Sequence, residues 1–131
     1  PFNVKLVTHK GTQGKDKGEK ISVMAKRNDT LFAVNASGFA DETGRGGGGG
    51  NITTGVVIED RKVIDTGHDK DNPAIISGLN KYGEMIAGNY SPNQLLDKQV
   101  VSVAGFMPQL IVNGEKMNTK GDGRWGSDPV L

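Results

Sequence analysis

Six of the seven residues from Gly44 to Gly50 are glycine, in a chain of 131 residues that carries 20 glycines in all. This is about twice the ordinary glycine share of roughly 7%. Such a run sustains neither a helix nor a strand interior, because glycine loses the most backbone freedom on ordering. A loop is therefore expected over 40–51, with short elements on either side. Prolines number only 5 and the glycines keep no fixed period, which excludes a collagen-like chain. The apolar stretches between the glycines argue against a wholly disordered one. A chain of this length buries roughly two-thirds of its unfolded surface, so one domain over residues 1–131 is expected. With a hydrophobic fraction of 34%, one Trp, two Tyr and four Phe, its core is expected to be thin.

The remaining composition removes several chemistries. There is no cysteine, and hence no disulfide, thiolate nucleophile or Cys-ligated metal. No apolar run approaches the ~20 residues of a membrane span. The net charge of +1 supplies no general attraction to nucleic acid or anionic lipid. Residues 1–30 hold seven Lys/Arg against three Asp/Glu, which reads as a solvated basic surface. The two histidines, His9 and His68, lie in polar segments without a second His at ligand spacing, so neither a metal nor another cofactor is expected. His68-Asp69-Lys70-Asp71-Asn72 imitates a calcium loop, but Pro73 stands where an EF-hand requires glycine, and the segment reads as a turn. The opening Pro1-Phe2, without a Met, suits a processed or excised piece.

Patterning then divides the chain. Phe2 to Thr8 alternates loosely and predicts a first, surface strand. Ile21, Met24 and Ala25 fall at i, i+3 and i+4, predicting a short helix from Lys20 to about Asn28-Asp29. Leu31-Phe32-Ala33-Val34 is too brief for a helix and reads as a buried strand. Two hairpins follow: 53–59 with 62–65 about Asp60-Arg61, and 74–79 with 84–88 about Asn80 to Gly83. Ser91-Pro92 places a capping hydroxyl before a proline at the first helical position, starting a second short helix. Val100 to Ala104 and Leu110 to Val112 complete the strands, and the tail from Asn118 shows no periodicity. The expected class is α+β, a mixed or antiparallel sheet of short strands with two short helices.

Candidate sites gather around the first glycine-rich region. The strand reading of Leu31–Val34 delivers Asn35, Ser37, Gly38 and Phe39 to a strand end, where ligands commonly bind. The glycine run is either a plain surface loop or a mobile loop over a site, with Arg45 placed to meet an anion. It matches Gly-x-Gly-x-x-Gly trivially, but a strand and not a helix follows, so it is not a dinucleotide fingerprint. Asp41 and Glu42 are the candidate catalytic carboxylates for acid/base work at a glycosidic bond, against the alternative of a solvated loop pair. Trp125 either stacks on a sugar or base or anchors the tail.

Taken in order, Met24-Ala25-Lys26-Arg27, Phe32 to Phe39, the glycine loop into Thr54-Gly55-Val56-Val57-Ile58, Ile76 to Asn80, Tyr90-Ser91 to Leu96, and Pro108 to Gly114 resemble the phosphodiester glycosidase family, its bacterial members above all. The family includes the N-acetylglucosamine-1-phosphodiester α-N-acetylglucosaminidase known as the uncovering enzyme. The resemblance implies hydrolysis of a sugar-1-phosphodiester in cell-envelope or exopolysaccharide material, by an extracellular or envelope-associated protein. A phosphosaccharide or cell-wall glycan is then the implied partner. Asn35, Ser37, Gly38, Phe39, Arg45, Thr54 and Gly55 would line the substrate cleft. Members of the family continue beyond the Trp-Gly segment into a Pro-Arg-Thr-Ala-Ile-Gly strand, whereas Val130 stands here where that Arg is expected. The expectation is therefore the N-terminal portion of the fold, with a second chain or segment completing it. The alternative expectation is a noncatalytic module of an envelope or phage-tail protein that binds carbohydrate such as teichoic acid.

Overall fold

A computed structural model describes residues 3–12, 14–40, 52–66, 71–105 and 111–117. The elements run α1 (Ile21–Arg27), β1 (Gly38–Phe39), β2 (Thr53–Thr54), β3 (Val56–Glu59), β4 (Lys62–Thr66), β5 (Ala74–Asn80), β6 (Met85–Tyr90), α2 (Pro92–Asp97), β7 (Val100–Ala104), β8 (Ile111–Val112) and β9 (Glu115–Lys116). Five strands form one antiparallel sheet in the order β4-β3-β7-β5-β6. The pairs β1-β2 and β8-β9 stand as separate two-stranded ribbons. The fold is α+β, as its short alternating strands and two helices predict.

One row of residues explains how the sheet closes. Val63, Ile58, Val103, Gly78 and Ile86 lie opposite one another across all five strands. A Cβ on Gly78 would sit 2.6 Å from Val103 Cγ2 and 2.3 Å from the Ser102 carbonyl. The absent side chain thus makes room for Val103. Val56 and Ile76 lie two residues from Ile58 and Gly78, so they share this face, and Leu95 of α2 completes the fully buried cluster with Val100. Two register shifts keep these residues on one side. Val101 has no counterpart between the pairs Leu79–Ser102 and Asn80–Val100, so Val100 and Val103, three apart, both reach the core. Ile64 is the extra residue in β4.

Local chemistry sets the helix that covers this face. The Ser91 hydroxyl accepts from the Gln94 amide at 3.3 Å, and the Gln94 side-chain oxygen accepts from the Ser91 amide at 2.9 Å. With Pro92 following, this is a complete capping box. The second hairpin is organised by Asn80, whose side-chain oxygen accepts from the amides of Tyr82 and Glu84. Gly83 supplies the left-handed turn position at φ 81°.

Three expectations are corrected. The segment 53–59 is two strands, because Gly55 at φ 82° turns the chain between β2 and β3. Residues 3–8 form no strand: the Leu6 amide donates to the Ser102 hydroxyl at 3.1 Å, a side-chain anchor in place of a ladder. Leu31 to Val34 is neither a strand nor buried, with Leu31 90% and Phe32 80% exposed. Among the described residues this run has no strand to pair with, and apolar composition alone does not create one. The helix α1 lies within its predicted span, but none of its residues is fully buried. The glycine run, Asp69 and Trp125 lie outside the described residues.

Candidate functional site

The kink at Gly55 brings three chain segments together at one end of the sheet. β1 pairs with β2, setting Gly38 opposite Thr54 and Phe39 opposite Thr53. The Ala40 amide extends this ribbon by donating to the Ile52 carbonyl at 2.9 Å. Ser37, at φ 53°, turns its hydroxyl inward to donate to the Thr54 carbonyl at 3.0 Å, with the Gly105 carbonyl at 3.4 Å. Gly105 directly follows β7, and the place a Cβ would take on Gly55 is 3.8 Å from its Cα.

Glycine is used here for close approach. A Cβ on Gly38 would lie 2.6 Å from the Thr54 hydroxyl, and one on Gly105 would lie 3.2 Å from the Val56 amide nitrogen. Ser37, Gly38, Phe39, Thr54 and Gly55 are therefore brought into one junction. The Ser37 hydroxyl is committed to main-chain carbonyls and fixes the junction. Asn35 is exposed and makes no hydrogen bond among the described residues. Asp41, Glu42 and Arg45 lie outside the described residues.

A cavity of about 570 Å³ opens next to the junction, between the Thr8–Gly11 segment and the β3–β4 hairpin. Thr53 belongs to both places: it pairs with Phe39, lines the cavity, and donates its hydroxyl to Asp65 at 3.0 Å. Glu59 also lines the cavity and accepts a short hydrogen bond from the Thr8 hydroxyl. The Thr8 segment is tied from behind by Arg27, which donates to the Thr8 carbonyl at 2.6 Å and pairs with Glu19 at 2.9 Å. The Arg27 hydrogen bond holds the Glu19 carboxyl below its ordinary value, and the same bond raises Arg27.

Sequence reasoning missed Gly105, Glu59, Asp65 and Thr8. Gly105 carried a readable signal, a glycine directly after a strand. Glu59 becomes a site residue only through Thr8, 51 positions away, and nothing local marks that. Among the described residues no group of three or more His, Asp or Glu could hold a metal ion.

A family model described as phosphodiester glycosidase matches residues 28–129. The match takes in the junction, the whole five-stranded sheet and α2, and begins just after α1. No curated protein and no solved structure matches the chain.

Proposed function

The chain belongs to the phosphodiester glycosidase family, and from that premise we propose that it forms part of a hydrolase acting on sugar-1-phosphodiesters. Water adds across the bond between the anomeric carbon and the phosphate oxygen, giving a free sugar and a phosphomonoester. The observation that carries the reading is the junction of Ser37–Gly38, Thr54–Gly55 and Gly105 inside the matched span. Gly38 and Gly105 let the three segments close on one another, while Gly55, with nothing nearer than 3.8 Å to the place of a Cβ, lets a phosphate oxygen come close to the backbone. Arg45 is the proposed cation for the phosphate, and Asp41 and Glu42 remain the proposed carboxylates. Asn35, exposed beside the junction, is proposed to hydrogen-bond the substrate, with Phe39 as an apolar neighbour. The substrate class is envelope or exopolysaccharide material outside the cell. No helix among the described residues is long and apolar enough to cross a membrane.

Hydrolysis of a nitrophenyl or glycosyl sugar-1-phosphodiester in ¹⁸O-water by the full-length protein tests this directly. The expected result is label on the sugar hydroxyl and an unlabelled phosphomonoester. Label in the phosphate would make the protein a phosphodiesterase of another kind. Binding of the diester without turnover would overturn the hydrolase reading in favour of a carbohydrate-binding module.

A further inference from the structure

We propose that the cavity beside the junction is the subsite for the hydroxyl-rich, saccharide end of the ligand, and that Glu59, backed by Thr8, sets its specificity. The inference rests on the function proposed above, which places a phosphate at the junction.

The chemistry of the walls selects the ligand class. The carboxylates of Glu59 and Asp60 outnumber the single ammonium of Lys62, so a phosphate is disfavoured there. Ile64 is the one aliphatic side chain among the lining residues, and with the threonine methyls and the Lys62 stem it gives the cavity an apolar wall on which a sugar face can rest. The Thr8 and Thr53 hydroxyls, whose protons go to Glu59 and Asp65, offer lone pairs, as does the Glu59 carboxylate, and this row of acceptors suits a neutral polyol that donates at closely spaced positions while laying one face on Ile64. The volume of about 570 Å³ lies within the range of small-molecule sites, roughly 300–1,000 Å³. Thr53 links this cavity to the phosphate junction through its pairing with Phe39, so one ligand can span both.

The wall that closes the cavity comes from outside the span the family model matches. Thr8 and His9 precede residue 28, where the match begins. This wall is preorganised: Arg27 grips the Thr8 carbonyl and Glu19, and the Thr8 hydroxyl holds Glu59. The specificity residue Glu59 thus belongs to the matched span, and the segment that backs it precedes that span.

Amide chemical-shift mapping of the whole chain, titrated separately with N-acetylglucosamine, glucose and inorganic phosphate, tests the assignment. At least one sugar is expected to move the amides of Thr8, Glu59 and Ile64, while phosphate moves those of Gly38 and Gly55. Glu59→Gln is expected to weaken the sugar response at least tenfold and to leave the phosphate response unchanged. Should that variant misfold, mapping of the unaltered protein decides alone. Phosphate at the junction with no sugar response in the cavity overturns the subsite and spares the proposed function. A sugar response in the cavity with no phosphate response anywhere supports the subsite while removing the proposed phosphate site.

Discussion

The two faces of the five-stranded sheet are covered by different means. On one face Ile58, Val103, Ile76 and Val56 meet Leu95 of α2, all at 1% exposure or less. On the other, the row Asp65, Val57, Ala104, Ser77 and Ala87 has the buried Val57 as its one large apolar member and is otherwise small or polar, and the next row carries Glu59, Ser102 and Leu79. The cover there is the N-terminal segment, fastened by single hydrogen bonds at Ser102 and Glu59. Apolar packing is non-directional and fills space, whereas side-chain hydrogen bonds leave gaps between their anchor points. The first face accordingly holds the fold, and the second has room for a cavity.

The sharpest way to break this division is Ile58→Ala. Truncating a fully buried isoleucine in the five-strand row is expected to cost about 3 kcal/mol, read as a lower urea midpoint with an unchanged slope. A loss below about 1 kcal/mol would deny that this face dominates. Next in size is Thr53→Val on the opposite face, which removes the hydroxyl given to Asp65. Here a cost of about 1 kcal/mol is expected, together with weaker binding of the sugar-1-phosphodiester. If binding is untouched, Thr53 does not join cavity to junction. The smallest effect concerns pH. Because Glu19 is held below its ordinary value of 4.5, its clamp on Arg27 is complete above that pH and is lost as pH falls through the lower folded-state value. Amide exchange should quicken in residues 8–12 and 14–19 at pH 3 relative to its intrinsic rate, with the strand amides of β3 and β7 unaffected. Glu19→Gln should abolish that difference.

How far the sequence could be read follows the same division. The cap at Ser91 and the second hairpin with its Asn80 turn depend on residues within a few positions of one another and were legible, and of the first hairpin the pairing of 56–59 with 62–65 was legible but the break at Gly55 was not. The Leu31–Val34 run failed because a strand is defined by its neighbour and not by its own composition. The bulge at Val101 was hidden for a related reason: it appears only when β5 and β7 are laid side by side. In the candidate site, Thr54 and Gly55 were named through the family resemblance, and what the structure adds is that they pack beside Gly38 and Gly105. Glu59 looked like the polar end of an apolar strand, since its partner Thr8 belongs to a distant segment.

The β3–β4 turn bears on the order in which the molecule assembles. Asp60 and Arg61 both occupy left-handed backbone, at φ 48° and 64°, without a glycine. Each such residue costs roughly 1 kcal/mol, and the Arg61 amide finds its acceptor in Val101, on a strand 40 residues later. In the β5–β6 turn one amide, that of Lys81, also reaches outside to the Gln99 carbonyl, but those of Tyr82, Gly83 and Glu84 are all held by Asn80, and Gly83 takes the left-handed position. The second hairpin is therefore expected to form early and by itself, and the first to close only once β7 has arrived. Peptides 54–67 and 73–91 separate the two cases, since cross-strand contacts should be detectable in the latter alone.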